Sequence, residues 1–269
     1  MHPAPPPMIL SIAGHDPTGG AGIQADIEAI AACGGRAVTA VSALTVQDTR
    51  DVRLLEAVAP ELLEAQLQTL LQDIPVQAIK IGLIGSVQNA RVIARILGQR
   101  PALPVVLDPV LAAGGGGDLA SAGLPEAIVD TLLPRVGLLT PNTPEARRLG
   151  GDGELATCAH RLLERGCGAV LITGTHEREE AVINRLFRRD LPPLAASWPR
   201  LPESYHGSGC TLSAAIATLL GRGFPLEQAV ERAQAFTWNS LRLGYRPGAG
   251  QYLPDRMAVE RTEAAGPRP

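Results

Sequence analysis

Lysine is nearly missing from this chain. Of its 24 basic residues, 23 are arginine, and the single lysine is Lys80 in "AIKIGLIG". Either chance or a need for lysine as such explains its survival. Aromatic residues are only 3% of the 269, and the formal net charge is −3. Without a positive field or rings for stacking, the chain is not built for nucleic acid. No stretch of 18 residues is apolar and free of charges and breakers, so no membrane span is expected. The opening "MHPAPPP" lacks the basic-then-apolar layout of a secretion signal, and a cytoplasmic location is the expectation. Cys33, Cys158, Cys167 and Cys210 form no C-x-x-C pair and no zinc spacing. The first three read as buried, reduced thiols. No G-x-x-x-x-G-K-[ST] loop occurs, so any phosphate site here is expected to use backbone donors and metal more than lysine.

What is present is alternation. Strand patterns cover 8–14, 36–44, 76–84, 103–111, 136–142, 168–175 and 180–190. Helical spacing covers 20–35, 59–74, 86–100, 143–149, 154–165, 208–222 and 225–244. Strands separated by helices imply βαβ units and a largely parallel sheet covered on both faces. No linker or repeat interrupts them, which predicts one α/β domain over 8–255, with tails at 1–7 and 256–269. In such sheets, ligands sit beyond the carboxyl ends of the strands. Gly14, Gln47, Gly85, Asp108, Asn142 and Gly174 all fall there.

Four motifs carry candidate chemistry. In "GHDPTGGAGIQAD" (14–26), Gly20-x-Gly22-x-x-Ala25 fits a dinucleotide-binding turn, with Asp48 as a ribose-binding acid. Against that reading, Asp16-Pro17 precedes the glycines and the turn is long. A plain structural loop and a ligand loop both stay open. In "LDPV", Asp108 ends an apolar strand and can hold a metal through water, orient a ligand, or cap a loop. In "LLTPNTPEARRL", Asn142 and Glu145 fit a capping box at a helix start. Beside Asp108, the same pair fits a hydrated Mg²⁺. In "YHGSGCTLSAAIA", the turn Gly207-Ser208-Gly209 aims amides outward at a helix N-terminus, an anion site. Cys210 is a poor helix cap there. It is either small packing or chemically chosen.

Together, "AGHDPTGGAGIQADIEAI", "SALTVQDTR", "IKIGLIGS", "VVLDPV", "LLTPNTPEA" and "YHGSGCTLSAAIA" resemble the hydroxymethylpyrimidine/phosphomethylpyrimidine kinases of the ribokinase-like superfamily. The resemblance spans about residues 8–255. It implies a three-layer α/β/α ribokinase-like fold with a mostly parallel central sheet, and a homodimer. It also implies two successive MgATP-dependent phosphorylations of 4-amino-5-hydroxymethyl-2-methylpyrimidine. The implied pyrimidine site is Gly14, Asp26, Gln47 and Val110, with Leu83 where methionine is common. Asn142 and Glu145 fall at phosphate–Mg²⁺ positions, Asp108 and Glu145 at metal positions through water, and Thr173 and Gly174 near ATP. Gly207, Ser208 and Gly209 form the implied anion hole, and Cys210 takes the place of the catalytic base. Two departures remove lysines: the 111–120 loop has none, and "TGTH" (173–176) replaces "KGGH". The glycine run 114–117 reads as a flap. Pyridoxal kinase is the neighbouring alternative. A dinucleotide oxidoreductase and a non-catalytic pyrimidine sensor are the alternatives of other classes.

Overall fold

Apolar strand patterns and helical patterns do alternate in the computed structural model, which describes residues 5–112 and 119–258. The glycine run 114–117 lies outside the described residues. The strands are β1 (Met8–His15), β2 (Arg36–Gln47), β3 (Val52–Ala57), β4 (Ala78–Ile81), β5 (Val105–Leu107), β6 (Leu138–Leu139), β7 (Ala169–Ile172), β8 (Ala181–Arg188) and β9 (Leu191–Pro199). The helices are α1 (Gly22–Ala32), α2 (Pro60–Asp73), α3 (Val87–Gly98), α4 (Leu124–Ala127), α5 (Thr143–Gly150), α6 (Leu155–Glu164), α7 (Ser208–Gly221) and α8 (Leu226–Arg242).

All the strands join one sheet in the order β3-β2-β1-β4-β5-β6-β7-β8-β9. Pairing is parallel from β2 through β7 and antiparallel at both margins. Side chains alternate along a strand, so each central strand feeds two cores. Leu10, Ile12, Ile81 and Leu107 pack with Leu63, Leu67, Ile93 and Leu162 on one face. Ile9, Ala78, Val106 and Leu138 pack with Ile30 of α1, Leu212 and Ile216 of α7 and Val230 of α8 on the other. This is the expected three-layer α/β/α arrangement.

The departures lie at the edges. β3 was not expected; it is the return limb of a hairpin whose Asx turn uses Asp48 Oδ1 to accept the Arg50 and Asp51 amides at 2.8 and 3.2 Å. β9 carries Pro192, Pro193 and Pro199, which argue against a central strand. An edge strand tolerates them because one side of its backbone needs no ladder partner. The expected tail from residue 256 is also corrected. Arg256 is 3% exposed, and the Asp255 amide donates to Ser240 O at 2.9 Å. Folded structure therefore runs past residue 255.

Candidate active site

The carboxyl ends of the parallel strands form one rim, and the β1–β2 register shifts between Ala13 and Gly14 as β1 enters it. There, Asp16 organises the loop to α1. Its Oδ1 accepts the Thr18 amide and hydroxyl, each at 2.8 Å, and its Oδ2 accepts the Ala21 amide at 2.8 Å. His206 Nε2 lies 2.9 Å from the same Oδ2, tying this loop to the one before α7. Burial pushes the Asp16 carboxyl up, but the bonds from His206 and Thr18 prevail and hold it below its ordinary value. His206 is thus engaged in shaping the loops.

The glycines of the apparent dinucleotide pattern are consumed by the protein's own packing. A Cβ on Gly22 would overlap Gly14 O, and one on Gly20 would press on Leu253 and His206. Asp48, the matching acid, sits in the exposed hairpin turn and pairs with Arg53 at 3.0 Å. The oxidoreductase reading fails on both counts.

Before α7, Gly207 adopts φ +83°, and a side chain there would run into Gly20 O. The N-terminus of α7 has no side-chain cap, so its leading amides face the rim. Its first turn lies directly on Asp108: a Cβ on Gly209 would stand 3.2 Å from Asp108 Oδ2. Ser213 Oγ lies 3.5 Å from that oxygen, and Ser213 and the Cys210 thiol both pull the same carboxyl down against burial.

Asn142 and Glu145 form a complete capping box at α5. Asn142 Oδ1 accepts the Glu145 amide at 2.9 Å, and Glu145 Oε2 accepts the Asn142 amide at 3.0 Å. The box does not remove them from the site. Glu145 Oε1 also accepts the Leu111 amide at 3.2 Å, which draws the chain after β5 toward α5. Burial first, and then the charge of Asp108, push Glu145 up to about 8. Burial likewise pushes Asp108 up to about 6, against the pull of Lys80. These buried carboxyls crowd each other, and a divalent cation with hard oxygen ligands would relieve that crowding, so the donor set fits Mg²⁺. Among the described residues, no group of three or more His, Cys, Asp or Glu side chains forms a direct metal cage.

Thr173 pairs with Asn142 across β6 and β7, its amide donating to Pro141 O at 3.0 Å. The Gly174 amide donates to Asn184 Oδ1 at 3.0 Å. On the other flank, a Cβ on Gly14 would stand 2.8 Å from Leu83 Cδ2, so these two residues adjoin. Gln47 Nε2 donates to Thr45 Oγ1 at 2.5 Å, and Gln47 and Val110 are half-buried.

Asp26 does not join them. It is a fully buried residue of α1: Oδ2 accepts Lys80 Nζ at 2.8 Å and Ser11 Oγ at 2.5 Å, while Oδ1 lies 2.8 Å from Lys80 Nζ without a hydrogen bond of its own. Its carboxyl is sealed from solvent and paired with Lys80, which sets it apart from the rim residues Gly14, Leu83, Gln47 and Val110. Lys80, in turn, finds its role. Ser11, Lys80 and Val106 stand side by side across β1, β4 and β5, on the face covered by α1 and α7. The ammonium rises into the space above Gly82, where a Cβ would stand 2.7 Å from Nζ. Burial disfavours its charge, but Asp26, with Cys210 and Asp108 beyond it, holds the ammonium charged and its pKa above the ordinary value. The Cys210 thiol is pushed up to about 12, chiefly by burial, with Lys80 drawing it down. Cys158 and Cys167 are buried as expected, Cys33 is half-buried, and all the cysteines are free.

Comparison with known proteins agrees with this geometry. The family described as phosphomethylpyrimidine kinase matches residues 16–255. The chain is 35% identical over 238 residues to the hydroxymethylpyrimidine/phosphomethylpyrimidine kinase of Escherichia coli K12, covering 86% of this chain and 90% of that one. It is 36% identical over 253 residues to the thiamine biosynthesis bifunctional protein ThiED of Geobacter sulfurreducens, but spans only 52% of that longer protein. Among solved structures, the ADP complex of Bacillus subtilis pyridoxal kinase superposes with a TM-score of 0.88 at 26% identity, covering 95% of this chain and 99% of that one. Phosphomethylpyrimidine kinase from Clostridium difficile superposes at 0.75 with 29% identity, covering 86% and 97%. With its uncapped α7 turn set on Asp108 and its sheet of ribokinase type, the chain belongs to the phosphomethylpyrimidine kinase family.

Proposed function

We propose that the chain transfers the γ-phosphoryl group of ATP to the hydroxymethyl oxygen of 4-amino-5-hydroxymethyl-2-methylpyrimidine, and then phosphorylates the monophosphate to the diphosphate for thiamine biosynthesis. The observation that carries this reading is the bare N-terminus of α7 held against Asp108. Phosphoryl transfer needs in-line positioning and charge stabilisation more than covalent help. The amides of Ser208, Gly209 and Cys210 meet charge on the transferring group, and removal of one such donor costs about 10²–10³ in rate. Gly14, Leu83, Val110 and Gln47 are assigned to the pyrimidine, and Gln47 can both donate to and accept from its amino edge. Asn142, Thr173 and Gly174 are assigned to the nucleotide. Asp108 and Glu145 would hold a hydrated Mg²⁺, which supplies charge neutralisation on the phosphates.

The raised Cys210 pKa changes that residue's role. At neutral pH it is a neutral thiol, beside a carboxyl that is pushed up to only about 6. Cys210 therefore orients the substrate hydroxyl, and the proton released as the O–P bond forms passes through sulfur toward Asp108. The exposed apolar face of the β2–β3 hairpin (Leu44, Val46 and Leu54) supports a homodimer. Among the described residues no helix is long and apolar enough to cross a membrane, and the free cysteines suit a reducing cytoplasm.

The structural likeness to the pyridoxal kinases of B. subtilis and Staphylococcus aureus favours pyridoxal as a second substrate. A coupled ADP-release assay with the pyrimidine alcohol, its monophosphate and pyridoxal tests both readings. The highest kcat/KM is expected for the alcohol. A preference for pyridoxal would overturn the assignment, and no release with any of them would overturn the activity.

A further inference from the structure

Arg256 is a heavily engaged cation outside the proposed pocket, and the proposed mechanism makes no use of it. Its side chain is 1% exposed. Nε donates to Thr211 Oγ1 at 2.8 Å, and that hydroxyl donates onward to Gly207 O at 2.8 Å. Nη2 donates to Gly20 O, and Nη1 reaches Gly19 O at 3.5 Å and Glu28 Oε2 at 3.0 Å. One guanidinium thus joins the glycine loop after β1, the first turn of α7 and the segment after Leu253. The contact is close: a Cβ on Gly207 would lie 3.0 Å from Nη2. The segment bearing Arg256 is itself tied down. The Tyr252 amide donates to Ser204 O at 2.8 Å, the His206 amide donates to Tyr252 O at 2.9 Å, and Asp255 is bonded to α8.

The physical consequence concerns the anion hole. Its amides act by being fixed before charge arrives, and that fixity must come from neighbours. Gly207 is a left-handed glycine with no side chain to hold it, and the α7 N-terminus has no cap of its own. The restraint comes from Arg256 on one side and from the Asp16–His206 contact on the other. A planar guanidinium, with five donors in a fixed fork, can hold two glycine carbonyls and a hydroxyl at once, whereas an ammonium cannot match that geometry. We propose that Arg256 is a positioning residue: it clamps the Gly19–Gly20 loop to the Gly207–Thr211 turn and so fixes the amides that receive the transferring phosphoryl group. This inference rests on the phosphotransfer reading of that turn.

The test compares wild type with Arg256→Met, Arg256→Lys and Thr211→Val, with Glu28→Gln as the control. Two readouts are taken: kcat and KM for the pyrimidine alcohol and for MgATP, and amide hydrogen exchange over residues 207–212. A small displacement of a catalytic group can cost about 10²-fold. Arg256→Met should accordingly lose about 10- to 100-fold in kcat, with both KM values within about threefold of wild type and faster exchange at 207–212. Arg256→Lys should recover part of kcat. Thr211→Val should repeat the loss, and its combination with Arg256→Met should add little, because both act on one contact. Glu28→Gln should keep wild-type kcat, since that carboxylate is half-exposed. Wild-type kcat and exchange in Arg256→Met overturn the clamp, as does a loss explained wholly by a smaller folded fraction. Should Arg256→Met fail to fold, Arg256→Lys and Thr211→Val decide by the same two readouts. Absence of ADP release by wild type would remove the phosphotransfer reading instead. Exchange would then still decide whether the clamp exists.

Discussion

Lys80→Met tests the buried charge pair beneath the site. Neither Lys80 nor Asp26 exposes any side-chain surface, and their separation is 2.8 Å. The substitution leaves a buried carboxylate with Ser11 Oγ, at 2.5 Å, as its remaining side-chain partner. Removing one member of a buried pair costs about 3–5 kcal/mol, because the surviving charge is left uncompensated. For a chain of this size, each kcal/mol lowers Tm by about 2–4 °C, so a fall of roughly 6–20 °C is expected. Removing both charges, as in Asp26→Leu with Lys80→Met, should recover most of it, since a buried pair replaced by apolar groups is often neutral. The Ser11 hydroxyl, left without its acceptor, keeps about 1–3 kcal/mol of deficit. The pKa of Lys80 is raised in the folded state. Its contribution is therefore complete below the unfolded value, near about 10.4, and is lost only as pH rises through the higher folded value. The gap between wild type and Lys80→Met should stay level between about pH 7 and 9. Thermal melts of the two variants and wild type across that range check the argument. A single variant melting within about 2 °C of wild type would refute it.

Cys210→Ala should lower kcat about 10²-fold in the ADP-release assay, the scale of a lost proton-transfer partner; wild-type turnover would reduce Cys210 to packing. Gln47→Leu should raise the KM of the pyrimidine more than that of ATP in steady-state kinetics, and equal KM values would remove Gln47 from the pocket. Asp108 and Glu145 are raised from 3.8 and 4.5 to about 6 and about 8 in the folded state. The folded protein therefore binds more protons than the unfolded chain between those values, and stability falls as pH rises through them. Melts without ligand should give a lower Tm at about pH 9 than at about pH 6, and the opposite slope would contradict the burial of these carboxyls.

Much of the molecule is legible along the chain, because the relevant physics is local. Apolar runs such as "MILSIAG" announce strands buried on both faces, and helical spacing places the helices between them. Parallel connection puts their ends at one rim. The Gly207–Gly209 turn and the Asn142–Glu145 box are local hydrogen-bonding devices, so residue type and spacing reveal them. β9 is absent from the strand patterns, and its prolines are tolerable only because it lies at the sheet edge.

The remaining assignments depend on which distant groups meet. Asp26 has the residue type of a substrate acceptor, and the sequence cannot show that Lys80, 54 residues away, pairs with it in a fully buried position. Asn142 and Glu145 read as a cap or a ligand site, and they serve as a cap while facing the rim, because Asp108 arrives from another strand. Arg256 looks like the start of a tail, yet it bonds to the first turn of α7 and to the loop after β1, 45 and 236 residues earlier. The sequence by itself determined the alternation of elements and the turns that need glycine, since both follow from backbone sterics and periodicity. Tertiary structure alone decided which charges are buried, which are paired and which remain for chemistry, because desolvation and Coulomb energy depend on neighbours in space.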